Sequence, residues 1–225
     1  MPKLDVRLIA VTQQIRSNTH VDIGSDHGGL LASMLGSGRV KYGIAIENKR
    51  QPFENSARAL AGLPAEVRFG DGLHVLQSGE ADSLSICGMG AESMLRILTA
   101  FPDRVPDHAV LQPNQKPELI RRWALNAGFH LVDEQIARGH LPYAILSFRR
   151  SNDCPTMDPA YQNVNQQAAL LFGPHVLKRD DRQFDAQLLE EETYWSQFER
   201  LEPERRERLE IIRQLLSARG LTPAR

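Results

Sequence analysis

The densest group of residues able to do chemistry is at positions 20–30, His-Val-Asp-Ile-Gly-Ser-Asp-His-Gly-Gly-Leu, where an acid on an apolar run is followed at once by glycines. Val21 and Ile23 alternate with small or polar neighbours, as a strand does. Gly24, Gly28 and Gly29 then permit a tight turn and a close ligand approach. Ser25 and Asp26 are placed to cap a helix starting near His27, and the free amides of a helix start can bind a carboxylate. The spacing Asp22-x-Gly24-x-Asp26-x-Gly28 departs from the G-x-G-x-x-G of dinucleotide folds, so a pyrophosphate is not the expected ligand.

Four further strand ends carry small or polar residues. Glu47-Asn48 closes the apolar run 40–46, and Gly70-Asp71-Gly72-Leu73 follows the run 67–69. Gly88-Met89-Gly90 follows 83–86, and Gln112-Pro113-Asn114 follows 109–111. The first of these turns, with its acid, then glycines, resembles the opening motif of S-adenosylmethionine (SAM) methyltransferases, with Asp26 replacing the usual middle glycine. In that setting Glu47 can accept from both ribose hydroxyls, or be an ordinary solvated strand end. Asp71 can accept from the adenine amine while Leu73 covers the ring, or Asp71 can bond its own turn backbone.

The elements that must position these residues alternate strand with helix. Leu4, Leu8, Val11 and Ile15 recur at helical spacing, and further helices are expected over 30–35, 52–60, 92–98 and 119–126. Repeated strand–helix units predict an α/β fold, a Rossmann-like parallel sheet. The runs 129–136 and 143–148, joined without a helix, add an antiparallel pair at one edge. Ligands of such sheets lie at the carboxyl ends of the strands, where all five polar groups fall. This first domain spans residues 1–150. A polar, Pro-containing linker over 151–159 leads to a C-terminal helical domain, 160–225, with Phe184, Leu188, Trp195 and Phe198 on one helical face and Leu209, Ile212 and Leu216 on another. Pro203 begins the second helix and Gly220 ends it, predicting an antiparallel helical hairpin or coiled coil.

The chain has 225 residues, 41% hydrophobic and 24% charged, enough for one sizeable soluble domain and an appendage. Cys87 and Cys154 make no metal or disulfide framework, and no apolar run suits a membrane span or a signal sequence. These features point to the cytoplasm, with no membrane and no metal. Residues 151–225 carry 10 Lys/Arg against 13 Asp/Glu, and residues 1–150 carry 17 against 15. A polyanion should therefore meet the first domain, around Lys49-Arg50, Arg121-Arg122 or Arg149-Arg150, or the seam where the domains meet.

The motifs occur in one order: Asp22-Ile23-Gly24-Ser25-Asp26-His27, Gly70-Asp71-Gly72-Leu73, Gly88-Met89-Gly90, Leu111-Gln112-Pro113-Asn114 and Gly173-Pro174, preceded by Leu4-x-x-Arg7-Leu8. Together they resemble the bacterial family of tRNA (adenine(22)-N1)-methyltransferases, over about residues 4–220. The resemblance implies a class I methyltransferase domain with a coiled-coil domain, SAM as cofactor, and tRNA as substrate. Carried onto this chain, it implies cofactor binding by Asp22, Gly24, Ser25, Asp26, His27, Gly28, Glu47, Asn48, Asp71, Gly72, Leu73, Gly88, Met89 and Gly90. Arg7, His27, Gln112, Pro113, Asn114 and Tyr143 would hold the substrate, with Asp26 and Asn114 catalytic. Many members carry Ala-Tyr where this chain has Gly28-Gly29, and a glycine at Ala91; a ring from Tyr143, His27 or His140 would have to replace that tyrosine.

The implied reaction is direct methyl transfer to adenine N1, a neutral nucleophile, so alignment and desolvation matter most and no metal is required. Asp26 would accept from the exocyclic amine as positive charge develops on the ring. Other readings are a SAM-dependent enzyme acting on another RNA or a small molecule, a nicotinamide dehydrogenase, which the glycine spacing disfavours, and a non-catalytic RNA-binding module. The oligomeric state is left open between monomer and weak dimer.

Overall fold

The computed structural model describes residues 4–151 and 158–221, which form two compact units, Met1–Asp158 and Pro159–Arg225. The linker positions 152–157, with Cys154, lie outside the described residues.

In the first unit α1 (Val6–Gln14) starts at Asp5, whose carboxylate accepts from the Leu8 amide at 2.8 Å. There follow β1 (Ser17–Ile23), α2 (Gly29–Gly36), β2 (Val40–Glu47), α3 (Arg50–Ala59), β3 (Ala65–Phe69), β4 (Ser83–Met89), α4 (Ala91–Ala100), β5 (His108–Pro113), α5 (Pro117–Asn126), β6 (Phe129–Arg138) and β7 (Pro142–Arg150). The seven strands make one sheet in the order β3-β2-β1-β4-β5-β7-β6. β1 to β5 pair in parallel, and β7 runs antiparallel to both β5 and β6. The segment between β6 and β7 is too short for a crossover helix, which forces the reversal. The chain reverses its progress across the sheet between β1 and β4, the switch point at which such folds open a crevice. This is the Rossmann-like α/β architecture that the alternating pattern predicts.

Central strands are covered by helices on both faces, so β5 is buried along its whole length. One strip of this interior is polar. Register places His20 beside Ser83 and Asp22 beside Ser85, and all four side chains are buried. At the end of β4, Cys87 pairs with Gln112 but Met89 pairs with Pro113, so Gly88 is an extra residue that bulges out of the ladder. Its φ of 74° is left-handed, which glycine adopts without strain.

Two sequence expectations are corrected here. The helix after β1 begins at Gly29, with Gly28 as its N-cap in a left-handed conformation and no side-chain cap, so Ser25 and Asp26 do not cap it. Nor is Arg121 a surface cation available to a polyanion. It is fully buried on α5, donating through Nε and Nη2 to Oε1 of equally buried Glu134 on β6, at 2.9 and 2.6 Å. Its position on the apolar face of an amphipathic helix requires a carboxylate partner.

The second unit holds α6 (Gln166–Phe172), α7 (Pro174–Leu177), α8 (Arg182–Trp195) and α9 (Pro203–Ala218). α8 and α9 run antiparallel, tied by Arg219 to Asp185 at 2.7 Å near one end and by Arg213 to Glu192 at 3.0 Å near the other. Phe184, Leu188, Leu209, Ile212 and Leu216 are buried, as their spacing predicts. Phe198 is not on that face: α8 ends at Trp195 and Phe198 is 46% exposed. The hairpin is also not alone, since α6 packs on α9.

Candidate active site

A cleft of about 760 Å³ opens at the carboxyl ends of β1 to β4. Its floor is the turn after β1. Gly24 turns at φ 73° and its amide donates to the Ile46 carbonyl at 2.9 Å, tying the turn to β2. A Cβ on Gly24 would stand 2.2 Å from Met89 Cε, so Met89 packs directly on the turn, and the left-handed φ there favours glycine. No side chain caps α2, so its first-turn amides have no side-chain partner. Ser25 Oγ is buried in the same turn, near the Asp22 carboxyl whose ionisation it eases.

Glu47 and Asn48 form the next wall. Glu47 is buried and accepts from the main-chain amide of Asp26, while its own carbonyl accepts from the Gly70 amide at 2.9 Å. Burial pushes its carboxyl pKa up, and the neighbouring Asp22 and Asp26 charges push the same way, against the Asp26 amide. Asn48 Nδ2 donates at 3.2 Å to Asp71 Oδ1, so the amide at the end of β2 orients the carboxylate that follows β3. Gly72 and Leu73 continue that wall.

The opposite wall comes from α4 and the residues after it, Ser93, Arg96, Ile97 and Phe101, which the sequence reading missed. His74 was also missed, and Lys49, expected only as a contact for a polyanion, lines the cleft as well. The signal for the α4 wall was available in Gly90: a glycine ending a strand opens the helix that follows, so that helix's first turns must border the crevice. Arg104 supports this side, its guanidinium 4.3 Å from the Phe101 ring centre and 2.8 Å from the His74 carbonyl.

A second constellation lies across Met89. Gln112, fully buried on β5, accepts through Oε1 from Arg7 Nη1 at 2.9 Å and from the Gly88 amide at 3.0 Å. Through Nε2 it donates to the Pro113 carbonyl at 3.0 Å and to Asn114 Oδ1 at 3.3 Å. Asn114 Nδ2 donates to the Gly88 carbonyl at 2.7 Å, and the Asn114 amide to the Met89 carbonyl at 2.8 Å. Arg7 lies 5.6 Å from the centre of the Tyr143 ring, and a Cβ on Gly88 would stand 3.0 Å from its Nη1. Arg7, Gly88, Gln112, Asn114 and Tyr143, drawn from five elements or turns, are thus brought together.

The remaining residues sort by depth. Asp22 lies behind the floor, buried, with Oδ1 accepting from Ser85 Oγ at 2.6 Å; burial raises its pKa, opposed by that bond and by the nearby Ser25 hydroxyl. Asp26 and His27 project outward, with side chains 69% and 75% exposed and 3.4 Å apart, and do not line the cleft; Gly28 is buried against α3. Cys87 is a half-buried thiol, its pKa raised by burial, and offers no thiolate nucleophile. Among the described residues no group of three or more His, Cys, Asp or Glu could hold a metal ion, and no helix is long and apolar enough to cross a membrane.

The geometry therefore offers a pocket with an acid and an amide–acid pair for an adenosine-like ligand, and next to it a polar station with ordered amides. The chain as a whole resembles known proteins. The family described as tRNA (adenine(22)-N(1))-methyltransferase matches the chain over residues 20–218. A Bacillus subtilis protein of that description is 32% identical over 189 residues, 81% of this chain and 78% of the relative. The crystal structure of the Bacillus subtilis tRNA methyltransferase superposes with a TM-score of 0.83 at 28% identity, covering 95% of this chain and 99% of that one. A Streptococcus pneumoniae structure, solved in complex with S-adenosyl-L-methionine, shares the fold at a TM-score of 0.78 and 24% identity, covering 95% of this chain and 100% of that one.

Proposed function

The chain belongs to the tRNA (adenine(22)-N(1))-methyltransferase family, and from that premise we propose how its own residues divide the work of the reaction. The enzyme methylates N1 of adenine 22 in tRNA, and SAM supplies the methyl group as a sulfonium electrophile.

SAM fits the cleft by its donor set. The uncapped amides of α2 and the Ser25 hydroxyl suit the amino-acid end. The Glu47 carboxylate suits the ribose hydroxyls, with Asp71, oriented by Asn48, at the adenine amine and Leu73 against the ring. Gly24, Gly72, Met89 and Gly90 shape the wall. Asp22 acts from behind the floor, and Gly28 by letting α2 sit close to α3.

The target adenine occupies the station across Met89. Asn114 is its main partner, because both halves of its carboxamide are already fixed, and a fixed dipole needs no reorganisation as the ring gains charge. Arg7, Pro113 and Tyr143 hold the base and its sugar, with Asp26 and His27 at the rim. N1 of a paired adenine is hidden, so the base must be unpaired or extruded to enter. Lys49 and other surface cations of the first unit add salt-dependent affinity for the tRNA backbone. Such a tRNA-modifying enzyme works in the cytoplasm.

The observation that carries the assignment is the meeting of Met89 with both stations, Gly24 on one side and Asn114 on the other. The test is incubation with methyl-labelled SAM and unmodified tRNA. Label at adenine N1, lost when adenine 22 is replaced, is the expected result; label retained in the replaced tRNA overturns the site assignment.

A further inference from the structure

Among the buried titratable side chains that the roles above leave unused, one lies directly behind the cleft floor. His20, in β1, is fully buried, with Nδ1 2.7 Å from Ser83 Oγ and Nε2 2.8 Å from Ser85 Oγ. Past Ser85 lies Asp22 Oδ1, at 2.6 Å, and past Ser83 lies Ser17 Oγ, at 2.7 Å. Five side chains therefore form an unbroken line along the β1–β4 seam, from the start of β1 to the back of the cleft floor.

The line has a direction. An ionised carboxylate only accepts, so the single proton of Ser85 goes to Asp22 and Ser85 must accept from His20. A neutral His20 then carries its proton on Nε2, and its Nδ1 accepts from Ser83. The hydroxyl rotors follow, leaving Ser17 to supply the proton of the Ser17–Ser83 bond. Burial keeps the imidazole neutral, pulling its pKa down to about 3, with His108 acting in the same sense. Of the groups facing Asp22, Glu47 across from β2 and Asp26 beside Glu47 make ionisation harder, whereas Arg7, near the neutral Cys87 thiol further along β4, favours it.

We propose that His20 is a positioning residue that, acting through Ser85, commits a hydroxyl proton to Asp22 and so holds an anion behind the cleft for the cationic end of the cofactor. The proposal rests on SAM, with its sulfonium and ammonium charges, as the ligand. Without Ser85 the Asp22 carboxyl takes up a proton more readily, so the loss must depend on pH, which a merely structural role would not produce.

The test is calorimetric titration of SAM at pH 6 and pH 8.5. Ser85→Ala is expected to weaken binding about tenfold at pH 6, the scale of a hydrogen bond to a charged group, and much less at pH 8.5. Ser85→Thr, which keeps the hydroxyl, is expected to keep the wild-type profile. Equal weakening at both pH values overturns the proposal. Nitrogen-15 spectra of the wild-type free protein are expected to show His20 neutral and protonated on Nε2 from pH 5 to 8; an Nδ1–H tautomer or a protonated ring in that range overturns it even if Ser85→Ala folds poorly. Wild-type protein that binds no SAM would refute the cofactor reading instead, while the spectra would still judge the hydrogen-bond line.

Discussion

Arg7 Nη1 and Gln112 Oε1 meet at 2.9 Å although 105 residues separate them, and the same oxygen receives the Gly88 amide. Gln112 is buried, so it reaches the substrate only through the groups it orients. Gln112→Leu would leave Arg7, the Gly88 amide and the Asn114 oxygen without their partner. We expect kcat to fall about 10- to 100-fold, the range seen when one donor is removed from a preorganised electrostatic site, while the Kd for SAM stays within about twofold. A fall in SAM affinity as large as the fall in kcat would place Gln112 with the cofactor instead.

Glu47→Gln keeps shape and removes charge at the ribose station. Binding of SAM should weaken about tenfold or more, because a hydrogen bond to a carboxylate is exchanged for one to an amide. Since burial raises the Glu47 pKa, wild-type affinity should decline as pH falls and the carboxylate is protonated, and the variant should lose that part of the profile. Unchanged affinity at pH 8 would remove Glu47 from the site.

Asp26 and Asn114 differ in how firmly they are held. Asp26 is mostly exposed, whereas Asn114 is pinned to Gly88 and Gln112. Asn114→Ala should therefore cost about 100-fold in kcat and Asp26→Asn about tenfold or less, measured at saturating SAM. The reverse order would make Asp26 the principal acceptor for the exocyclic amine.

Arg121→Ala removes the guanidinium from the buried Glu134 charge and should destabilise the fold by about 3–5 kcal/mol. Arg121→Met with Glu134→Leu should recover most of that, since a well-packed apolar pair needs no desolvation. Urea denaturation of the three proteins is the measurement, and a loss below about 1 kcal/mol for Arg121→Ala would contradict the buried pair.

Acid should weaken the fold through two histidines. Burial pulls the pKa of His20 from 6.5 to about 3 and that of His108 from 6.5 to about 4. The unfolded chain binds protons at both positions below about pH 6.5 while the folded chain does not. Their contribution is thus complete above that pH and is lost as pH falls toward 4, at up to about 1.4 kcal/mol per pH unit for each proton. Asp22 and Glu47, whose pKa values are raised, act in the opposite sense, losing their contribution as pH rises. Denaturation between pH 7.5 and 4.5 should show the loss, with a shallower slope for His108→Asn; an identical slope would show that His108 titrates normally.

Much of the fold was legible because each strand ends in a residue that breaks its apolar run, so Glu47, Asp71 and Gln112 mark strand ends and, through the parallel topology, one rim. What stayed hidden has physical reasons. Ser93, Arg96 and Ile97 read as the ordinary faces of a helix until the strand order shows that α4 borders the crevice. Arg121 looked solvated because a pair of arginines carries no trace of a glutamate on another element. Gln112 resembled a residue that touches the ligand, and only its burial shows that its carboxamide serves Arg7, Gly88, Pro113 and Asn114. The helix start after β1 was misplaced because Ser25 and Asp26 have capping chemistry, yet the turn spends two more residues reaching the left-handed Gly28.

The bulge at Gly88 leaves a single strip of main chain between the cleft and the turn at Asn114, with Met89 against Gly24 and the Gly88 and Met89 carbonyls bonded to Asn114. A partition one residue thick transmits displacement. With cofactor and nucleotide placed on its two sides as proposed, each is expected to tighten the hold on the other, and by the same factor.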